Sequence, residues 1–137
     1  MFDRTFLDTN VLVYAFDNAN PAKRDCARQI LSSPPGPLAI SAQVIGEFYV
    51  VVTRKLAEPL DLLSAETAVT HLRRLPVVPV DADLAGAAAV TSRAHQLSYW
   101  DALIVEAAIA AGCHRLFTED LDDGARFRSL SVENPFT

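Results

Sequence analysis

Four carboxylates lie where an acid is awkward. Asp8 closes the apolar start of Phe6-Leu-Asp-Thr-Asn-Val-Leu-Val13, at the junction between a short strand and a helix. Such a position is costly for a charge unless something positive sits against it. Glu47 is the lone charge in Val44-Ile-Gly-Glu-Phe-Tyr-Val50, which makes a solvated face an unnatural place for it. Asp101 falls in the first turn of a helix, where the macrodipole favours a carboxylate. Asp120 follows a strand by a few residues, within an acidic loop that also holds Glu119 and Asp122. Singly, these acids read as a helix cap, a dipole partner or a solvated turn former. Jointly, they come from four separate elements and can be brought to one sheet edge around a divalent cation. Carboxylates within ~4–6 Å raise one another's pKa unless a cation compensates. An all-oxygen donor set selects a hard ion, Mg2+ or Mn2+, over zinc. That chemistry suits phosphodiester hydrolysis by metal-activated water.

Other chemistries find little support. His71, His95 and His114 are scattered, without metal-ligand spacing, and are read as structural or surface residues. Cys26 and Cys113 are far apart, the pattern of two buried thiols in a reducing, cytoplasmic compartment. No Ser-His-Asp triad, Walker loop or glycine-rich dinucleotide turn is present. The net charge of −5 opposes general polyanion binding. Sequestering several acids around cations would nonetheless leave a near-neutral surface. The pairs Lys23-Arg24, Arg54-Lys55 and Arg73-Arg74 could then supply a local basic rim.

These acids must be positioned by a fold of ordinary composition: 137 residues, 50% hydrophobic and 21% charged, enough for one domain over 1–137. Apolar runs fall well short of the roughly 18–20 residues of a membrane span. Met1-Phe2-Asp3-Arg4 lacks the layout of a secretory leader. The pattern predicts strands at 4–7, 38–40, 77–80, 113–117 and 130–132. Helices are predicted at 9–16, 21–32, 42–56, 62–75, 82–95 and 99–111, the last closed by Gly112. The β-branched 44–52 run also permits a strand, but Ser41 as a cap and the run's length favour a helix. Being apolar nearly all round, it would be central or part of an oligomer interface. The alternation gives an α/β three-layer sandwich, a mainly parallel sheet of about five strands between helices.

With these residues marked, the chain resembles the PIN-domain family, and within it the VapC-type toxin ribonucleases of toxin–antitoxin pairs. The resemblance rests on Phe6–Val13, Ser41-Ala-Gln-Val-Ile-Gly-Glu-Phe-Tyr49, Ser98-Tyr-Trp-Asp-Ala-Leu-Ile104 and Leu116-Phe-Thr-Glu-Asp-Leu121, in that order. It implies a metal-dependent endoribonuclease using Mg2+ or Mn2+, with Asp8, Glu47, Asp101 and Asp120 as its acidic quartet. Asp122 becomes a further metal-proximal acid, Thr9, Asn10 and Thr118 become supports, and Glu119 competes with Asp120. It also implies an RNA substrate, a homodimer and a VapB-like antitoxin seated in a groove near the site.

Three alternatives stay open. A housekeeping RNA-processing nuclease of the same fold would share the quartet. An aspartyl-nucleophile phosphohydrolase would also open on Asp8, but needs a second acid two positions on, where Asn10 stands. A non-catalytic PIN-like binding module would be expected to have lost one of the four acids.

Overall fold

The computed structural model describes residues 3–137; the leader reading at Met1 and Phe2 lies outside them. The chain alternates β1 (Thr5–Leu7), α1 (Thr9–Tyr14), α2 (Pro21–Ser32), β2 (Leu38–Ser41), α3 (Ala42–Arg54) and α4 (Leu62–Leu72). It continues through β3 (Val77–Val78), α5 (Ala82–His95), α6 (Tyr99–Ala110), β4 (Arg115–Phe117), β5 (Arg126–Phe127) and β6 (Leu130–Glu133). The sheet has six strands in the order β3-β2-β1-β4-β6-β5, parallel except for the β5–β6 pair. No helix among the described residues is long and apolar enough to cross a membrane.

Helix starts follow local chemistry. Ser41, Asp61, Asp81 and Ser98 each accept a hydrogen bond from the backbone N–H three residues on, which satisfies an otherwise orphan donor. The 44–52 run is helical, as its cap and length predict. Its burial is less complete than the sequence suggests. Val44, Phe48 and Val52 form the inward stripe, while Tyr49 and Val50 remain 37% and 46% exposed. Glu47 is exposed on the same outer side, so it does not stand in an apolar interior. The physical reason is periodicity: at 3.6 residues per turn, Glu47 points about 100° away from Phe48.

The core is continuous and runs from the sheet into α6, whose residues Ala102 to Ala108 are all buried. Small side chains on α5, Ala88 and Thr91, let it lie close against α6. Within that contact the buried carboxylate of Glu106 accepts from Thr91 Oγ1 at 2.7 Å and from Arg128 Nη2 at 2.8 Å. The terminal hairpin corrects the expected five strands to six. β5 and β6 are joined through Arg128 and Ser129 with Phe127 opposite Leu130, and Arg128 takes a left-handed φ of 54°. Neither turn residue is the Asn-Gly or Asp-Gly that signals such a hairpin, so β5 was illegible.

Cys113 is buried and Cys26 half-buried; both are free thiols, and burial pushes the Cys113 thiol up to about 11. His114 lies at the surface 3.9 Å from Asp3, and His95 packs edge-on against Phe127.

Candidate active site

β1 is the central parallel strand, with β2 on one side and β4 on the other. Connections leave β1 first towards β2 and return much later to β4, so the sheet's switch point lies between β1 and β4. Ligands in open α/β sheets bind beyond the strand carboxyl ends at that point. Asp8 and Thr118 are the next residues after the paired ends Leu7 and Phe117, and the Asp8 N–H donates to Phe117 O at 3.1 Å. The sheet register therefore sets these two side chains beside each other.

Asp8 is 5% exposed. Its Oδ1 accepts from the Thr9 N–H at 2.7 Å, and its Oδ2 accepts from Thr118 Oγ1 at 2.7 Å and from Asn10 Nδ2 at 3.4 Å. The Thr118 hydroxyl also accepts from the Asp120 N–H at 3.0 Å and from Asn10 Nδ2 at 3.1 Å. Its one donor and two acceptor positions are thus all in use. Asn10 Nδ2 reaches Asp120 Oδ2 at 3.1 Å, and Thr9 Oγ1 donates to Glu47 Oε1 at 2.9 Å. The two residues after Asp8 thereby each tie down a carboxylate from another element.

A cavity of about 380 Å³ opens here, with Asp8, Glu47, Asp101 and Asp120 all on its wall together with Thr9 and Asn10. Thr118 lies beneath, fully buried. Asp122 does not line the cavity; it is exposed, and its carbonyl accepts from the Ala125 N–H in the loop. Glu119 turns the other way, accepting from Tyr14 Oη at 2.5 Å and Lys23 Nζ at 3.0 Å. Also on the wall are Tyr14, Asp17, Gln43 and Trp100, which sequence reasoning did not single out. Helical spacing was the available signal: Tyr14 follows Asn10 by four residues and Gln43 precedes Glu47 by four.

Burial pushes the Asp8 carboxyl up to about 7, against the lowering hydrogen bonds of Thr118 and Thr9 and with the charges of Asp120 and Glu47 adding to the rise. Asp101 is raised as well, by burial first and then by Asp120, while its bond from Ser98 lowers it. No Lys or Arg lines the cavity. Two lysines of the predicted basic pairs lie off its wall: Lys23 is paired with Glu119, and Lys55 lines a neighbouring pocket that shares Glu47 and Val51 with this one.

Among the described residues no three acids, histidines or cysteines draw close enough to form a ready-made metal cluster. Yet the four acids share one wall, because Thr9 and Asn10 hold Glu47 and Asp120 in place. The two observations are compatible for a hard ion. Mg2+ keeps several waters and takes only one or two protein carboxylates. A buried carboxylate with no cation against it and an all-oxygen donor set fit such an ion. The unpaired Asn10 Oδ1 adds a further free oxygen acceptor.

The PIN-domain sequence profile matches residues 5–130. The chain belongs to the PIN-domain family, whose members are nucleases. Its fold is similar to that of Mycobacterium tuberculosis VapC20, a sarcin–ricin loop cleaving toxin, at 23% identity over 85% of this chain and 89% of that one, TM-score 0.68. It is also similar to a chain of a toxin–antitoxin complex from Klebsiella pneumoniae, at 22% identity over 96% and 97%, TM-score 0.72. A third likeness is to VapBC2 from Rickettsia felis bound to a DNA fragment of its promoter, at 21% identity over 96% and 98%, TM-score 0.64. No curated protein matches the chain.

Proposed function

We propose that this chain, a single PIN-like domain, is a metal-dependent endoribonuclease and the toxin of a type II toxin–antitoxin pair in the cytoplasm. The observation that carries the reading is the meeting of Asp8, Glu47, Asp101 and Asp120 on one cavity at the sheet's switch point. One or two of these four would bind Mg2+ or Mn2+ directly and the others through its waters. Asp122 is left out of the set because it stands off the cavity. Bound there, the ion supplies Lewis-acid stabilisation of the phosphate and lowers the pKa of the attacking water.

The chain's own residues prepare the site. Thr118 and the Thr9 N–H clamp both oxygens of Asp8, so its geometry is fixed before any ion arrives. Asn10 and Thr9 restrain Asp120 and Glu47, which would otherwise swing apart under mutual repulsion. Burial of Asp8 keeps water from screening its charge.

The toxin assignment draws on the VapC20 and VapBC likenesses. It is supported by an apolar groove of about 260 Å³ between α1, α2 and α4, lined by Leu12, Phe16, Leu31, Ala68, His71, Leu72 and Leu75. That groove suits an apolar segment of a VapB-like antitoxin. The exposed Tyr49 and Val50 on α3 support a homodimer.

The decisive experiment incubates the purified chain with structured RNA in Mg2+ or Mn2+, alongside induction in cells with and without the partner. Asp8→Asn and Asp101→Asn are expected to abolish both cleavage and growth arrest. If both variants retain both effects, the proposal is wrong.

A further inference from the structure

The wall of the acidic cavity carries one large aromatic that neither the fold nor the proposed metal site requires. Trp100 is 61% exposed, yet it lines the same cavity as Asp8, Glu47, Asp101 and Asp120. It immediately precedes Asp101 in the first turn of α6, so its ring stands at the rim while the neighbouring carboxylate lies further in. Two contacts hold it there. Tyr99 packs edge-on to the indole at 5.0 Å between ring centroids. Gln43 Nε2, from the first turn of α3, donates to the Trp100 carbonyl at 3.3 Å and ties the two helix starts together. The second Gln43 group, Oε1, has no partner.

Charge decides what this rim can bind. A nuclease cavity must attract a polyanion, but this wall offers acids and no Lys or Arg. Cations held by the acids can compensate at the scissile phosphate, though not along the rest of the strand. Of the two aromatic rings on the wall, Tyr14 is engaged by Glu119, Lys23 and Phe136, which leaves the exposed face of Trp100 to contribute affinity. Every base has a π-face that stacks on such a ring, and stacking is available only where the base is not already sandwiched in a duplex.

We infer that Trp100 is a base-stacking platform, which seats an unpaired nucleotide beside the scissile phosphate. This rests on the nuclease reading above. Trp100 acts on substrate binding and takes no part in the chemical step. Its partner Gln43 fixes the ring's backbone through the bond to the Trp100 carbonyl.

Trp100 is the only tryptophan in the chain, so its emission reports this one ring. The test titrates the full chain in Mg2+ with an unstructured RNA hexamer and, separately, with a blunt duplex of the same sequence. Cleavage of the same samples is followed on denaturing gels. Stacking predicts that the hexamer quenches the emission and the duplex does not. By anisotropy of labelled hexamer, Trp100→Ala is expected to bind about tenfold more weakly and Trp100→Phe to recover most of the loss. Because the ring is exposed, the thermal midpoints of both variants should stay close to that of the parent chain.

The inference fails if the hexamer is bound and cleaved with unchanged emission and Trp100→Ala binds like the parent. It also fails if emission responds to protein concentration alone, which would mark the ring as a surface for another protein copy. Quenching by the hexamer without any cleavage would uphold the stacking and overturn the nuclease reading instead.

Discussion

At the scale of single residues, Asp8 stands at the centre of the proposed chemistry and also bears on stability. Its carboxyl is raised from 3.8 to about 7, chiefly by burial, so the folded chain binds a proton there that the unfolded chain has already released. Stability therefore has a contribution fully present below about pH 4 that is lost as pH rises through about 7. In metal-free buffer the thermal midpoint is expected to fall between about pH 5 and pH 8, and Asp8→Asn to flatten that slope. Scanning calorimetry across that range checks both statements. Thr118 is the second control point, since its hydroxyl serves Asp8, Asp120 and Asn10 together. Thr118→Val leaves buried groups unpaired, at a cost of roughly 1–3 kcal/mol of stability, and is expected to lower cleavage at least about tenfold. Thr118→Ser keeps the hydroxyl and should keep most of the activity.

At the scale of elements, two glycines in superficially similar helical segments have opposite meanings. Gly112 ends α6 with φ of 72°, a left-handed conformation in which an L side chain is strained. Gly86 sits inside α5, and a Cβ added there would meet nothing within 4 Å. Gly112→Ala should destabilise by about 1 kcal/mol, while Gly86→Ala should stabilise by roughly 0.5–1 kcal/mol by restricting the unfolded chain. Urea denaturation of the two variants distinguishes these opposite signs. The Ser41 cap was legible because it precedes a long apolar run, while the Ser98 cap was not read from the sequence; both matter to the site because they start the helices that carry Glu47 and Asp101.

At the scale of the molecule, the C-terminal hairpin meets the helical layer through an ion pair as well as through the buried Phe127, Leu130 and Val132. Glu106 is 7% exposed and depends on Arg128 and Thr91, whereas the Arg128 side chain is half in solvent. Arg128→Ala is expected to cost about 1–2 kcal/mol, below the figure for a fully buried pair because solvent already screens the arginine. Arg128→Gly should cost less, since it loses the same pair but relieves the φ of 54°. Thermal midpoints of the two variants measure that difference. The hairpin also flanks β4, whose end delivers Thr118, so loosening it is expected to reach the site through the β4–β6 pairing.

The sequence by itself determined the alternation of elements and several helix caps, and it singled out the four acids that line one cavity. Each of these depends on side-chain type and local spacing, which the chain carries in linear order. It also placed Asp8 at a strand end, because a carboxylate after two apolar residues has few other homes. It could not show that Glu47 faces solvent while still reaching Thr9, since the orientation of a helix apolar on most sides is decided by what packs against it. It left Glu119 and Asp120 unseparated, and only the positions of Tyr14, Lys23 and Asn10 draw one away and the other inward. The first strand of the hairpin, β5, was hidden for the same reason: Arg128 adopts its left-handed turn beside a carboxylate 22 residues away in sequence. Contacts of that range cost loop-closure entropy and are fixed only when the whole core closes.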